Sequence, residues 1–227
     1  SFPTRRSSDL GYPKTSVEGH SGEFVIGTLN GEEILAAKGR FHYYEGFDFP
    51  EITLPICLLH ELGISFVIIT NSAGSLRKDY HPGTLMAMNG HLDCTFIKGP
   101  ELPTINKKPH FYNSEILALA KKCSLETGVQ IKEGVYCWTL GPAYETPDEV
   151  KFIQNLGGDA VGMSTVPEIK MAGELGISSL GISCLTNYAA GITKNPLSHD
   201  EVIETADKVK NQFSKLVAKI LIEEDTN

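Results

Sequence analysis

The chain has 227 residues, 41% of them hydrophobic and 21% charged, and a formal net charge of −8. That length is enough for one large domain with its own core. No apolar run approaches the roughly 18 residues of a membrane span, and the acidic balance argues against a nucleic-acid partner held by general electrostatics.

Residues 1–10, SFPTRRSSDL, carry no initiator Met, no apolar signal core and no periodicity, and are read as a non-native or disordered segment ahead of one domain over 11–227. EFVIGTL (23–29) and EILAAKG (33–39) flank Asn30-Gly31, a two-residue hairpin signal. GRFHYYEG (39–46) alternates at strand spacing, with Arg40, His42 and Tyr44 on one face and Phe41 and Tyr43 on the other. ITLPICLLHELG (52–63) has helical spacing and stops at Gly63, and SFVIIT (65–70) reads as a buried strand running into a Ser/Gly/Ala turn, TNSAGS (70–75). GTLMAMNGHL (83–92) is a further strand, SEILALAKKCSLETG (114–128) a helix with Ser114 as its N-cap, and GVYCWTLG (134–141) a strand. A helix from Pro147 to Leu156, a short strand at DAVGM, a helix from Pro167 to Leu175, a strand SSLGISCLT (178–186) and a long helix from Ser198 to about Glu223 complete the order. Such alternation implies a single-domain, three-layer α/β fold: a central mixed sheet with helices on both faces and ligands beyond the carboxyl ends of the strands.

Three strands run into polar ends: TNSAGS (70–75), GPAYET (141–146) and TNYAAG (186–191). The first can aim several backbone N–H groups at one anion, or be a plain tight turn. Asn187 can cap its strand or meet a ligand, and Glu145 can cap the helix that follows or do the same. In GMSTVPE (162–168), Ser164 and Thr165 can bind an anion or cap the helix that Pro167 opens. Arg40 can face solvent, or offer a fork of donors matched to phosphate oxygens with His42 adding another. Joined to the TNSAGS turn and Ser164, the anion reading is preferred. Five cysteines, Cys57, Cys94, Cys123, Cys137 and Cys184, form no CxxC pair, as reduced thiols of a cytoplasmic protein do. The seven histidines are scattered and suggest no metal site.

RFHYYEG, TNSAGSL, GPAYETPDEV, DAVGMSTVPE, and GISCLTNYAAGI followed by PLSHDEV stand in order from about Thr15 to the terminal helix, and resemble the trimeric, low-molecular-mass purine nucleoside phosphorylases. The resemblance implies a phosphate site made by Arg40, His42, the backbone at Ser72 and the Ser164 hydroxyl. It places Met163, Tyr44 and His199 on the ribose, and Tyr144, Glu145 and Asn187 on the base, with Asn187, Glu145 and His42 as the catalytic groups. It implies phosphorolysis of inosine and guanosine, and of their deoxy forms, to free base and (deoxy)ribose 1-phosphate. Inorganic phosphate is then a co-substrate and no cofactor or metal takes part. A homotrimer is implied too, in which a neighbour's aromatic covers the ribose, with PHFYNS (109–114) supplying it through His110 or Phe111. Family members begin with a strand and a Gly/Ser-rich phosphate loop that this sequence lacks, so Ser7 and Ser8 are given no role. Rival readings are a methylthioadenosine phosphorylase-like enzyme or a nucleoside hydrolase, disfavoured by Arg40, His42 and Asn187, and a purine-binding relic without activity.

Overall fold

A computed structural model describes residue 15, residues 22–193 and residues 199–225. The segment predicted over 1–10 and the predicted helix start at Ser198 lie outside the described residues, as does the side chain of His199.

Strands β1 (Glu23–Leu29) and β2 (Glu32–Lys38) form an antiparallel hairpin of their own. Asn30 and Gly31 both take positive φ, 54° and 96°, the pair of left-handed conformations that a two-residue turn between right-twisted strands demands. The predicted strand at GRFHYYEG is absent. Residues 39–42 are irregular and Tyr43–Glu45 form a single 3₁₀ turn. The alternation fails because Glu45 Oε1 reaches back to accept from both the His42 backbone N–H, at 3.0 Å, and its ring Nδ1, at 2.8 Å, and so closes the chain on itself.

Helix α1 (Phe49–Glu61) begins three residues before the predicted Ile52. Asp48 and Glu51 cap it reciprocally, Glu51 N–H donating to Asp48 at 3.0 Å and Asp48 N–H to Glu51 at 2.9 Å. Strand β3 (Phe66–Ser75) is the largest departure from expectation, since TNSAGS continues it instead of turning. Its parallel partner β7 (Ser178–Tyr188) runs alongside for the whole length, from Phe66↔Ser178 to Ser75↔Tyr188, with a bulge between Ala73 and Gly74. A local Ser/Gly composition yields to a non-local ladder. Strand β4 (Thr84–Asp93) follows, then α2 (Ser114–Thr127), whose N-cap is Asn113 instead of Ser114: Asn113 Oδ1 accepts from Glu115 N–H at 2.7 Å. The rest is β5 (Ile131–Trp138), α3 (Pro147–Asn155), β6 (Ala160–Gly162), α4 (Val166–Glu174), β7 and α5 (His199–Asp225).

The mixed sheet curls until it closes, in the order β3-β6-β5-β4-β7 and back to β3. Alternation along its strands feeds two sides. Val67, Ile69, Met86 and Met88 pack with Ile56 of α1 and with Val166, Ile169 and Ala172 of α4. Phe66, Ile68, Leu85 and Ala87 pack with Ile116 and Ala120 of α2 and with Leu216 and Ile220 of α5. A third cluster seats Val150 and Ile153 of α3 on Leu76, Val135 and Val161.

One buried polar pair sits in this frame. His91 of β4 is 3% exposed, and its Nδ1 lies 2.7 Å from the Tyr112 hydroxyl. Burial pushes the imidazole down to about 4, with Lys170 and Lys98 adding in the same direction and Asp93 opposing. His91 therefore stays neutral in the folded chain while the unfolded chain protonates near 6.5. The stability this provides is complete above pH 6.5 and is lost as pH falls to about 4, by up to roughly 3 kcal/mol. Urea midpoints measured across that window should fall with acidity in wild type, and the fall should flatten in His91→Gln; identical slopes would remove His91 from the acid response.

Candidate active site

The site is built where β3, β5, β6 and β7 end. At one side Arg40, 14% exposed in its side chain, donates from Nε to Glu168 Oε2 at 3.1 Å. Its Nη1 donates to the Thr70 carbonyl of β3 at 2.6 Å and to Ser164 Oγ at 3.4 Å. Glu168 lies in the first turn of α4 and is 6% exposed, so guanidinium and carboxylate are buried together, each hydrogen-bonded, as buried charge requires. Ser164 occupies the β6–α4 junction. Neither open alternative for that junction as a side-chain helix cap is realised: Thr165 takes the N-cap position, yet its side chain makes no capping bond. The Thr165 hydroxyl instead lies 3.1 Å from Ser164 Oγ and accepts from Asn71 Nδ2 at 2.9 Å. Ser164 N–H approaches the hydroxyl of fully buried Tyr136 at 3.4 Å.

His42 stands beside this group with its ring stacked on that of Tyr44, centroids 4.7 Å apart and planes 20° from parallel. The 3₁₀ turn, not strand alternation, brings the two rings together. Ser72 is exposed on β3, two residues beyond Thr70 and in register with Cys184. Its backbone belongs to a strand, not to the anion-binding turn expected there.

Tyr44 also leads toward the other end. Burial raises its phenol pKa, Glu45 raises it further, Arg40 lowers it and Tyr144 raises it, so the ring lies in the fields of both ends at once. Tyr44 and Met163 close over Gly141, which sits at φ 73°; a Cβ there would collide with Met163 Sδ and lie 3.0 Å from Tyr44 Cδ1. Tyr144 is half-exposed, its phenol raised by burial and then by Glu145. Glu145 Oε1 accepts from the Thr139 hydroxyl at 2.7 Å, and Thr139 N–H donates to the Gly162 carbonyl at 2.9 Å, one residue before Met163 and two before Ser164. Glu145 does not cap α3; Thr146 does, in a capping box with Glu149. Asn187, 6% exposed, donates from Nδ2 to the Tyr188 carbonyl at 2.9 Å, accepts from Thr186 Oγ1 at 3.0 Å, and lies over Gly74 of β3, whose strand neighbour on the other edge is Val161. His199 opens α5.

Arg40, His42, Tyr44, Met163 and Ser164 are thus linked by bonds and packing, Glu145 joins them through Thr139 and Gly162, Tyr144 acts electrostatically on Tyr44, and Asn187 stands over Gly74 of β3. Sequence reasoning left out Glu168, Asn71, Thr139 and Glu45. Glu168 was legible as an acid in a first helical turn, whereas Asn71 and Thr139 show only as polar residues closing apolar strands. Among the described residues no group of three His, Cys, Asp or Glu is placed to hold a metal. A cavity of about 550 Å³, lined among others by His91, Lys98, Lys107 and Lys170, contains none of the predicted site residues.

Residues 5–222 match the Phosphorylase superfamily. Purine nucleoside phosphorylase 1 of Geobacillus stearothermophilus is 42% identical over 217 residues, covering 92% of this chain and 79% of that protein. The chain belongs to the purine nucleoside phosphorylase family. Purine nucleoside phosphorylase of Schistosoma mansoni, solved with inosine, superposes with a TM-score of 0.83 at 30% identity, covering 92% of this chain and 79% of that one. A Schistosoma mansoni purine nucleoside phosphorylase has also been solved with adenosine, at a TM-score of 0.83 and 28% identity over 96% of this chain and 82% of that one.

Gly141 tests the packing of Tyr44 and Met163 against the 139–146 loop. Gly141→Ala adds a left-handed alanine, costing about 1–2 kcal/mol, and must also displace Met163 or Tyr44. Chemical denaturation should show a loss of about 2 kcal/mol or more; an unchanged midpoint would mean that the 139–146 loop does not rest on Met163 and Tyr44.

Proposed function

We propose that the chain cleaves 6-oxopurine ribonucleosides and deoxyribonucleosides, inosine and guanosine foremost, by phosphorolysis. The observation that carries this reading is the array itself. Arg40 bonds Ser164, Tyr44 and Met163 meet over Gly141, Glu145 is tied through Thr139 to the strand that leads into Met163, and Asn187 lies over Gly74 of β3; to these groups the reading assigns phosphate, sugar and base.

In the reaction the C1′–N9 bond breaks and a C1′–O bond to phosphate forms, with the bonding pair leaving on the purine. Phosphate is held from below by Arg40, His42, the Ser72 backbone and Ser164. Because Glu168 already balances much of the Arg40 charge, the anion keeps enough negative charge to stabilise the cationic sugar. Met163 and Tyr44 bear on the ribose, and His199 is assigned to its 5′-hydroxyl. Negative charge developing on the purine spreads to N7 and O6. An amide nitrogen carries two hydrogens; one of Asn187's is spent on the Tyr188 carbonyl, which fixes the group so that the other serves as a preorganised donor to the base. Glu145, held through one oxygen by Thr139, accepts from purine N1–H, and Tyr144 covers the ring. Phosphate is a co-substrate, and no cofactor or metal takes part.

Adenine offers a bare N1 to Glu145, an acceptor facing an acceptor. A Schistosoma relative forms a complex with adenosine, so adenosine binding is compatible with this reading, but its turnover here should be slow. The working form is a homotrimer in the cytoplasm. Phe96, Ile97, Leu102 and Ile105 present exposed apolar surface on the 95–106 segment, suited to burial against another copy. Of the two aromatics proposed to reach a neighbour's ribose, Phe111 is buried in its own subunit while His110 is exposed beside it, which favours His110. All five cysteines are unpaired thiols, in keeping with a reducing compartment.

Hypoxanthine release from inosine should require phosphate, run at least about 100-fold faster than adenine release from adenosine, and fall about 100-fold or more in kcat/KM in Glu145→Gln. Release without phosphate would make the protein a hydrolase, and adenosine turnover equal to that of inosine would overturn the assigned base preference.

A further inference from the structure

Thr165 is held in a conformation that a threonine does not choose. At φ 75° and ψ −44°, with Val166 N–H donating to the Ser164 carbonyl at 2.9 Å, it centres a γ-turn of the strained, positive-φ kind. For a β-branched residue this is an outlier that the surroundings must impose. Thr165 is fully buried, and the contact that imposes it is in view: Asn71 Nδ2 donates to the Thr165 hydroxyl at 2.9 Å. Asn71 is itself 9% exposed on β3, where pairing with Ser183 of β7 fixes its position.

Among the described residues the other end of that amide has no partner. Asn71 Oδ1 is buried without a hydrogen bond, a condition that costs stability and is retained only where something else is gained. What is gained lies one residue from Thr165. The Thr165 hydroxyl meets Ser164 Oγ at 3.1 Å, and Ser164 Oγ lies 3.4 Å from Arg40 Nη1. The order Asn71, Thr165, Ser164, Arg40 is thus a chain of contacts running from the sheet to the guanidinium.

We infer that Asn71 and Thr165 are positioning residues: together they hold the strained turn that sets the Ser164 hydroxyl beside Arg40, so that the two groups are preorganised for a single oxyanion. The inference rests on the phosphorolytic reading of the site, with inorganic phosphate as that oxyanion. Neither residue touches the reacting atoms; both act through Ser164. Preorganised donors lower the reorganisation needed when the anion arrives, so the consequence falls on phosphate and not on the nucleoside.

The test uses the full chain and reads phosphate directly. Inorganic phosphate binding is measured by calorimetry, and the KM values for phosphate and inosine are measured separately, in wild type, Thr165→Val, Thr165→Ser, Asn71→Ala and the Thr165→Val/Asn71→Ala double variant. Circular dichroism and urea midpoints establish that each is folded. Thr165→Val, which keeps the shape and removes the hydroxyl, should weaken phosphate binding and raise its KM about tenfold, as should Asn71→Ala. The KM for inosine should stay within about twofold, and Thr165→Ser, which keeps the hydroxyl, should restore phosphate affinity. The double variant should be no worse than either single one, because both break the same relay. Folded single variants that bind phosphate as wild type does, parallel rises in both KM values, or full additivity would each overturn the inference while leaving the phosphorolytic reading in place. A wild-type chain that binds no phosphate would overturn both.

Discussion

A guanidinium buried against the protein decides how this site is assembled. Arg40 comes from the loop after the hairpin, Thr70 from β3, and Ser164 and Glu168 from the two sides of the β6–α4 junction, so one side chain ties three distant stretches of sequence. Burying an unpaired charge is prohibitive, and one removed partner leaves another uncompensated. The loop at 39–46 can therefore take few positions relative to the sheet, and His42 and Tyr44, which follow Arg40 through the short 3₁₀ turn, are carried into place with it.

The sheet supplies the complementary constraint. β3 and β7 run in parallel register through Ala73↔Leu185, and the bulge after Ala73 shifts the pairing so that Gly74 stands opposite Asn187. A bulge adds a residue to one strand and re-aims the side chains beyond it, and here the re-aimed residue is the buried amide assigned to the base. The amide lies directly over Gly74: a Cβ at that position would be in ordinary contact with Asn187 Nδ2, at 3.5 Å. The same strand thus takes the Arg40 contact at Thr70 and the Asn187 contact at Gly74, four residues apart, which fixes the separation between the two ends of the site.

Elements stabilised by local chemistry were legible in the sequence. Asn30-Gly31 marks its hairpin because only a few residues accept positive φ, and the helices over 114–127, 147–155 and 166–174 follow from apolar spacing and proline placement. What could not be read depended on partners far along the chain. TNSAGS has the composition of a turn and becomes strand because β7 offers a ladder along its whole length. RFHYY has the alternation of a strand and becomes a turn because Glu45 captures His42. The same division runs through the site. Residue types suited to phosphate and purine are visible in the motifs, whereas the pairing of Arg40 with Glu168 and the support of Thr165 by Asn71 are contacts across 128 and 94 residues. Nothing at Thr165 announces a positive φ, since the residue that usually signals one is glycine.

Helix α4 makes these costs sustainable. Its first turn carries Glu168 and follows directly on Ser164 and Thr165, while Val166, Ile169 and Ala172 on its inner face are all 0% exposed, packed with Ile56 of α1 and Val67 and Ile69 of β3. Strain at one residue of about 1–3 kcal/mol can be held only by surroundings that gain more from staying put. Fully burying one Val- or Ile-sized side chain contributes about 1.5–3 kcal/mol, so Val166 and Ile169 together outweigh the strain of the γ-turn. A close-packed core yields little to small forces. The geometry at Ser164 is consequently as stiff as the core beneath it, and a bound anion would meet a hydroxyl and a guanidinium whose separation was set during folding.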